Sequence, residues 1–133
     1  MSYPFTVDGE TVWDPALRVG LLYAGITEAV SEVLKQPTGL KPSADGTCAI
    51  DVAAFHAFVE CLRESQASTR HPVYGGLMKG LLAVSLQLAK TTGAELTPMY
   101  GDEQAIFGAA ADFAGAMSVS RDARCRGGTT APG

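Results

Sequence analysis

The sequence predicts a mainly α domain, a four-helix bundle-like fold with a short β-hairpin at its N-terminus. Three observations carry that expectation. Apolar residues recur at the helical period in four separate stretches. The longest stretch, His71 to Gly93, is apolar on nearly every face, which suits the middle of a bundle. Asp8-Gly9 lies between two β-prone segments and supplies the positive φ angles of a type I′ turn.

The elements follow in order. Residues 3–13 alternate as a hairpin, with Phe5, Val7 and Val12 in apolar contact and Trp13 anchoring it to the first helix. A hairpin is marginal alone and must lean on something. Asp14-Pro15 opens a helix over 15–35, Asp14 as the cap and Pro15 where no N–H is needed. Its expected inner stripe is Val19, Leu22, Tyr23, Ile26, Val30, Val33 and Leu34, and Pro37 stops it. The proline- and glycine-rich stretch 36–49 reads as a loop, with a short extended piece at Thr47 to Ile50.

A second helix runs over 51–67. Asp51 caps it, and Ile50 with Phe55 has hydrophobic-staple spacing. Val52, Phe55, Phe58 or Val59, and Leu62 form its buried face, while Glu60, Arg63, Glu64 and Gln66 read as solvated. The link to the third helix (72–92) is short, so the two are antiparallel neighbours, and Ser68, Thr69 or His71 caps the third. On it, Val73, Leu77, Leu81, Val84 and Leu88 line one side and Tyr74, Met78, Leu82 and Ser85 another. Gly76 and Gly80, four apart, admit a neighbouring backbone, and Gly93 caps the end. Asp102 caps a fourth helix (102–118), with Glu103 in the first turn where the dipole favours acids, and Ile106, Ala110, Phe113 and Met117 facing inward. The domain is expected over 1–119, with 120–133 as a flexible tail.

Composition removes several function classes. The net charge is −4 and the ten Lys and Arg are scattered, which does not suit a surface that tracks nucleic-acid phosphates. The apolar run at 73–89 is roughly 17 residues, short of the roughly 20 that span a bilayer, and Lys79 interrupts it, so no membrane association is expected. The start, MSYPFTVDGE, has neither the basic nor the apolar region of a signal peptide. Cys48, Cys61 and Cys125 are odd in number and lack Cys-x-x-Cys spacing. Both features favour a cytoplasmic protein with free thiols.

Candidate chemistry is sparse. His56 and Glu60 stand one turn apart, but His56 and Cys61 diverge around the helix and make no ready nucleophile–base pair. His71 precedes Pro72 at a helix start and reads first as a cap. Lys79, if turned inward, would be a base or amine nucleophile; snorkelling to the surface is the plainer reading. Two histidines seventeen residues apart fit no standard zinc spacing, and no metal or cofactor is expected. GGLMKG lacks the Gly-Lys-Ser/Thr ending of a phosphate loop.

Four segments carry a resemblance: Thr11 to Pro15, Pro37 to Leu40, Ile50 to Phe55, and His71 to Leu82. Together they look like a family of small actinobacterial proteins of unknown function. The resemblance implies a helical domain with an N-terminal hairpin and brings no catalytic residues.

Two function classes remain. In the first, the chain is a non-catalytic interaction protein, an accessory, regulatory or immunity-type partner that acts through helix faces and forms a homodimer. In the second, a small-molecule or catalytic site lies beside the third helix. There Gly76 and Gly80 make room, and Tyr23, His56, Tyr74, Lys79 and Tyr100 supply polar groups. Trp13, Tyr23, Tyr74, Gly76, Gly80 and Tyr100 are the candidate pocket or interface residues, and His56, Cys61, His71 and Lys79 the candidate reactive groups.

Overall fold

The computed structural model describes residues 1–101 and 103–118. The expected cap Asp102, the tail 120–133 and its Cys125 lie outside the described residues.

Strands β1 (Phe5–Val7) and β2 (Glu10–Trp13) pair antiparallel. Asp8 and Gly9 turn between them with φ of 51° and 84°, the two positive angles expected of this turn. Aromatic rings fill the inner side. Phe5 stacks on Trp13 at 4.8 Å, and Tyr23 meets both edge-on at 5.9 and 5.4 Å.

Helix α1 (Leu17–Leu34) starts later than Asp14-Pro15 suggests. Its cap residue is Ala16, with no side-chain cap bond. The chain start takes that role instead: Leu17 N donates to Met1 O at 3.2 Å, and Tyr3 N donates to Pro15 O at 3.0 Å. The backbone thus satisfies groups that the Asp14 side chain was expected to serve. The helix ends two residues before Pro37, where Lys35 takes a left-handed turn with φ of 57°.

The stripe of α1 also needs correction. The buried residues are Gly20, Tyr23 and Thr27, while Val19, Leu22, Ile26 and Val33 are exposed. The reason is local. A Cβ on Gly20 would lie 2.6 Å from Tyr3 Cβ, so only glycine lets the N-terminal segment press onto the helix here. Thr27 is hidden because its hydroxyl donates to Tyr23 O at 2.6 Å. A small residue and a self-satisfied polar residue therefore occupy the face that hydropathy assigns to valine and leucine.

Residues 36–49 hold more order than a loop. Strands β3 (Leu40–Pro42) and β4 (Cys48–Ile50) form a second antiparallel hairpin. Asp45 holds its turn by accepting from the backbone and the hydroxyl of Thr47 at 3.1 and 2.7 Å. β4 lies parallel to β1, giving a four-stranded sheet in the order β2-β1-β4-β3. Pro42 is tolerated because β3 is an edge strand.

Helix α2 (Val52–Ser68) opens on Asp51, which accepts from Ala54 N at 3.2 Å. Ile50 and Phe55 are both buried at that corner. Gly39, with φ of 79°, passes so close that its Cβ would sit 2.6 Å from Phe55 N. Helix α3 (Pro72–Thr91) then turns back against α2, and α4 (Glu103–Met117) packs on α3. The second half of α3 is deeply buried: Leu82, Leu86, Leu88 and Ala89 expose 1% or less. Its first third leaves the core, and Val73 and Leu77 are exposed.

The molecule is mainly helical with an N-terminal strand pair, as expected, but it is not a plain four-helix bundle. α2, α3 and α4 pack together, while α1 sits on the aromatic face of the sheet and reaches α3 through few residues. Tyr23 is the main link, its hydroxyl 2.7 Å from Ser85 Oγ.

Candidate functional site

Among the cavities beside α3, two on different faces hold most of the candidate residues between them. The first lies where α2 turns into α3. It measures about 450 Å³, and Arg70, His71, Gly76, Lys79, Tyr100 and Glu103 are among its walls. The second is an apolar groove of about 590 Å³ between α1, α3 and α4. Val19, Leu22, Ile26, Leu77 and Phe113 form its rims, with Trp13, Tyr23 and Gly80 among its lining.

The polar cavity rests on a network that the sequence reading missed. Arg63 is 1% exposed and Glu103 is 2% exposed. They meet as a two-pronged pair, Nε to Oε2 at 2.7 Å and Nη2 to Oε1 at 2.8 Å. Arg63 also donates to Glu60 Oε2 at 2.8 Å and to Thr97 O at 2.7 Å. Glu103 Oε1 accepts from the backbone of Met99 and Tyr100 at 2.8 and 3.2 Å. The guanidinium lies over the rings of Tyr100 and Phe107, 5.6 and 5.4 Å from their centres. Arg63 was read as solvated, and Glu103 as a dipole partner only. The missed signal is spacing: Arg63 follows Val59 by one turn and adjoins Leu62, so it falls on the buried stripe.

The protonation of this pair follows from its surroundings. Burial pushes the Glu103 carboxyl up, but the Arg63 guanidinium and the two N–H donors outweigh it and hold its pKa below the ordinary value. The bond to Glu103 holds Arg63 all the more firmly charged, against the effect of burial.

The candidate side chains have the following partners. His71 caps α3, its Nδ1 accepting from Tyr74 N at 3.4 Å. Tyr74 ties α3 to α2 through Ser65, hydroxyl to hydroxyl at 2.6 Å. Lys79 is exposed at the polar cavity. His56 does not join Glu60 or Cys61. Its Nε2 sits 2.9 Å from Thr92 Oγ1, whose own hydroxyl reaches Leu88 and Ala89 carbonyls, so His56 is the donor and pins the end of α3. Cys61 is half-buried, and Cys48 is buried with its thiol pKa pushed up by desolvation. Burial likewise pushes the Tyr23 phenol up, against its hydrogen bond with Ser85. Among the described residues Gly76 and Gly80 meet nothing within 4 Å of where a Cβ would stand, so no described helix fills the space beside them. It is Gly75, not singled out from the sequence, that is buried against α2, with Gln66 and Thr69 atoms at 3.7 Å. Among the described residues no group of three or more His, Cys, Asp or Glu could hold a metal ion. No described helix is long and apolar enough to cross a membrane.

A family model matches residues 1–119, the whole described domain. The chain belongs to the DUF6086 family of unknown function. No curated protein and no solved structure matches it. A family of unknown function is consistent with the resemblance that the sequence segments carry, and this DUF6086 domain must be read from its own surface.

Proposed function

We propose that this DUF6086 protein is a non-catalytic cytoplasmic accessory protein of actinobacteria that docks through its helix faces and self-associates as a homodimer. The observation that supports it is the apolar rim of the groove beside α1. Val19, Leu22, Ile26 and Leu77 expose 51%, 64%, 42% and 76% of their surfaces, and Phe113 adds 37% at the α4 side. Soluble monomers rarely leave such side chains together in one patch. Val19, Leu22 and Ile26 stand on one face of α1 at 3–4 spacing, so the helix of a second copy can lie along the groove. Two such faces brought together by a two-fold axis cover each other. The candidate reactive groups are not gathered at one centre: His56 is bonded to Thr92, and His71 caps α3.

Sedimentation of the wild-type chain and of the Leu22→Asp, Leu77→Asp double variant tests the reading. The wild type is expected to run as a dimer at micromolar concentration and the variant as a folded monomer. A wild type that stays monomeric at hundreds of micromolar would overturn the homodimer.

A further inference from the structure

We propose that the cavity at the α2–α3 turn binds a small organic anion, through a carboxylate or phosphate group. The volume, about 450 Å³, is in the range of ligand clefts. Its walls come from three parts of the chain: the end of α2 with its turn, the first turns of α3, and the start of α4 with the segment before it. Two cationic side chains reach it, Arg70 and Lys79. Neither has a carboxylate within salt-bridge distance among the described residues, where the pairs are Lys41–Asp51, Arg63–Glu60 and Arg63–Glu103. The acid in the wall, Glu103, is already matched by Arg63 and by two backbone donors. Among the described residues the cavity therefore keeps an excess of positive charge, on a chain whose net charge is −4.

The neutral groups agree with that sign. His71 Nδ1 accepts from Tyr74 N, so its ring proton stands on Nε2 as a donor. The positive end of the twenty-residue α3 opens beside it. Gln66, in the same wall, keeps a buried amide oxygen without a hydrogen-bond partner among the described residues. A ligand with a hydroxyl beside its anionic group fits that wall better than a bare anion. A polyanion is disfavoured, because the molecule as a whole repels it.

The test is an amide NMR titration of the full chain at constant ionic strength, with inorganic phosphate, glycerol 3-phosphate and malate as probes. Saturable shifts confined to amides of the Arg70–Gly76 and Tyr100–Gly101 segments are expected. Saturation with the phosphates alone assigns the site to phosphate, with malate alone to carboxylate, and with all three to their shared anionic chemistry. The Arg70→Gln, Lys79→Gln double variant should weaken binding about tenfold or more, the loss of one or two charge-assisted hydrogen bonds. Both side chains are exposed, so the variant should keep its fold, which its amide spectrum verifies. Non-saturating shifts with every probe, or a double variant that titrates like the wild type, would overturn the proposal.

Discussion

The two cavities beside α3 share a helix and differ in nearly everything else. The polar one stands on a sealed base, where a buried arginine, a buried glutamate and six hydrogen bonds to them lock α2 to the start of α4. The apolar one has no such lock. α1 touches α3 chiefly through Tyr23 and Ser85, and the space alongside is left to exposed valine, leucine and isoleucine. Charge that is buried must be matched atom by atom, whereas apolar surface can be left open at modest cost until a partner arrives. One side of α3 is thus finished within the chain, and the other is not.

The largest effect should come from breaking the finished side. Arg63→Met leaves Glu103 buried without its partner. Removing one member of a buried pair costs about 3–5 kcal/mol, so urea denaturation should show a loss of that size. Glu103→Leu added to it should recover part of the loss, since no unmatched charge then remains buried. If the single variant costs less than about 1 kcal/mol, the comparison between the two sides fails. The pair also sets a pH dependence. The folded pKa of Glu103 lies below its ordinary 4.5, so the unfolded chain takes up its proton at higher pH than the folded one. Its stabilisation is complete above that ordinary value and is lost as pH falls through the folded pKa. Arg63→Met should flatten this acid limb.

The next effect lies where α1 meets the N-terminal segment. Gly20→Ala puts a methyl 2.6 Å from Tyr3 Cβ, and overpacking of that kind costs about 1–3 kcal/mol. A smaller change of opposite sign is expected on the open side. Gly80→Ala meets nothing within 4 Å, so it should stabilise the helix by up to about 1 kcal/mol. Thermal melts of the two variants side by side distinguish a packed glycine from an idle one.

These residues also show how far the sequence could be read. The Asp51 and His71 caps and the Asp8-Gly9 turn were legible because they act within a few residues of themselves, whereas the Asp14 cap gave way to contacts from the chain start. The second hairpin was not. Its strands are three residues each, too short to show alternation, and its parallel pairing with β1 joins residues 5 and 48, far apart in sequence. On α1 the apolar positions were correctly seen as periodic, but valine and leucine on the wrong side outvoted glycine and threonine on the right one. Arg63 defeats any hydropathy count, since its burial depends on Glu103 arriving from another helix. The candidate pocket residues were named without their grouping. Only the fold puts Gly76, Lys79 and Tyr100 at one cavity and Trp13, Tyr23 and Gly80 at the other.

The smallest effect on folding is the most telling about the groove. Leu22→Asp with Leu77→Asp alters side chains that are 64% and 76% exposed and belong to no buried cluster. Surface changes of that kind stay within about 0.5 kcal/mol, so at low concentration the variant should unfold at nearly the wild-type temperature. Raising the concentration separates the two. A protein that self-associates through this face gains stability with concentration, because only the folded chain dimerises, and its melting temperature climbs. The double variant has lost that face, and its melting temperature should stay level. Parallel curves for both proteins would mean that the groove does not bring copies of this chain together. A variant that melts many degrees lower even when dilute would mean that Leu22 and Leu77 hold the fold itself, and the distinction between the two sides of α3 would disappear.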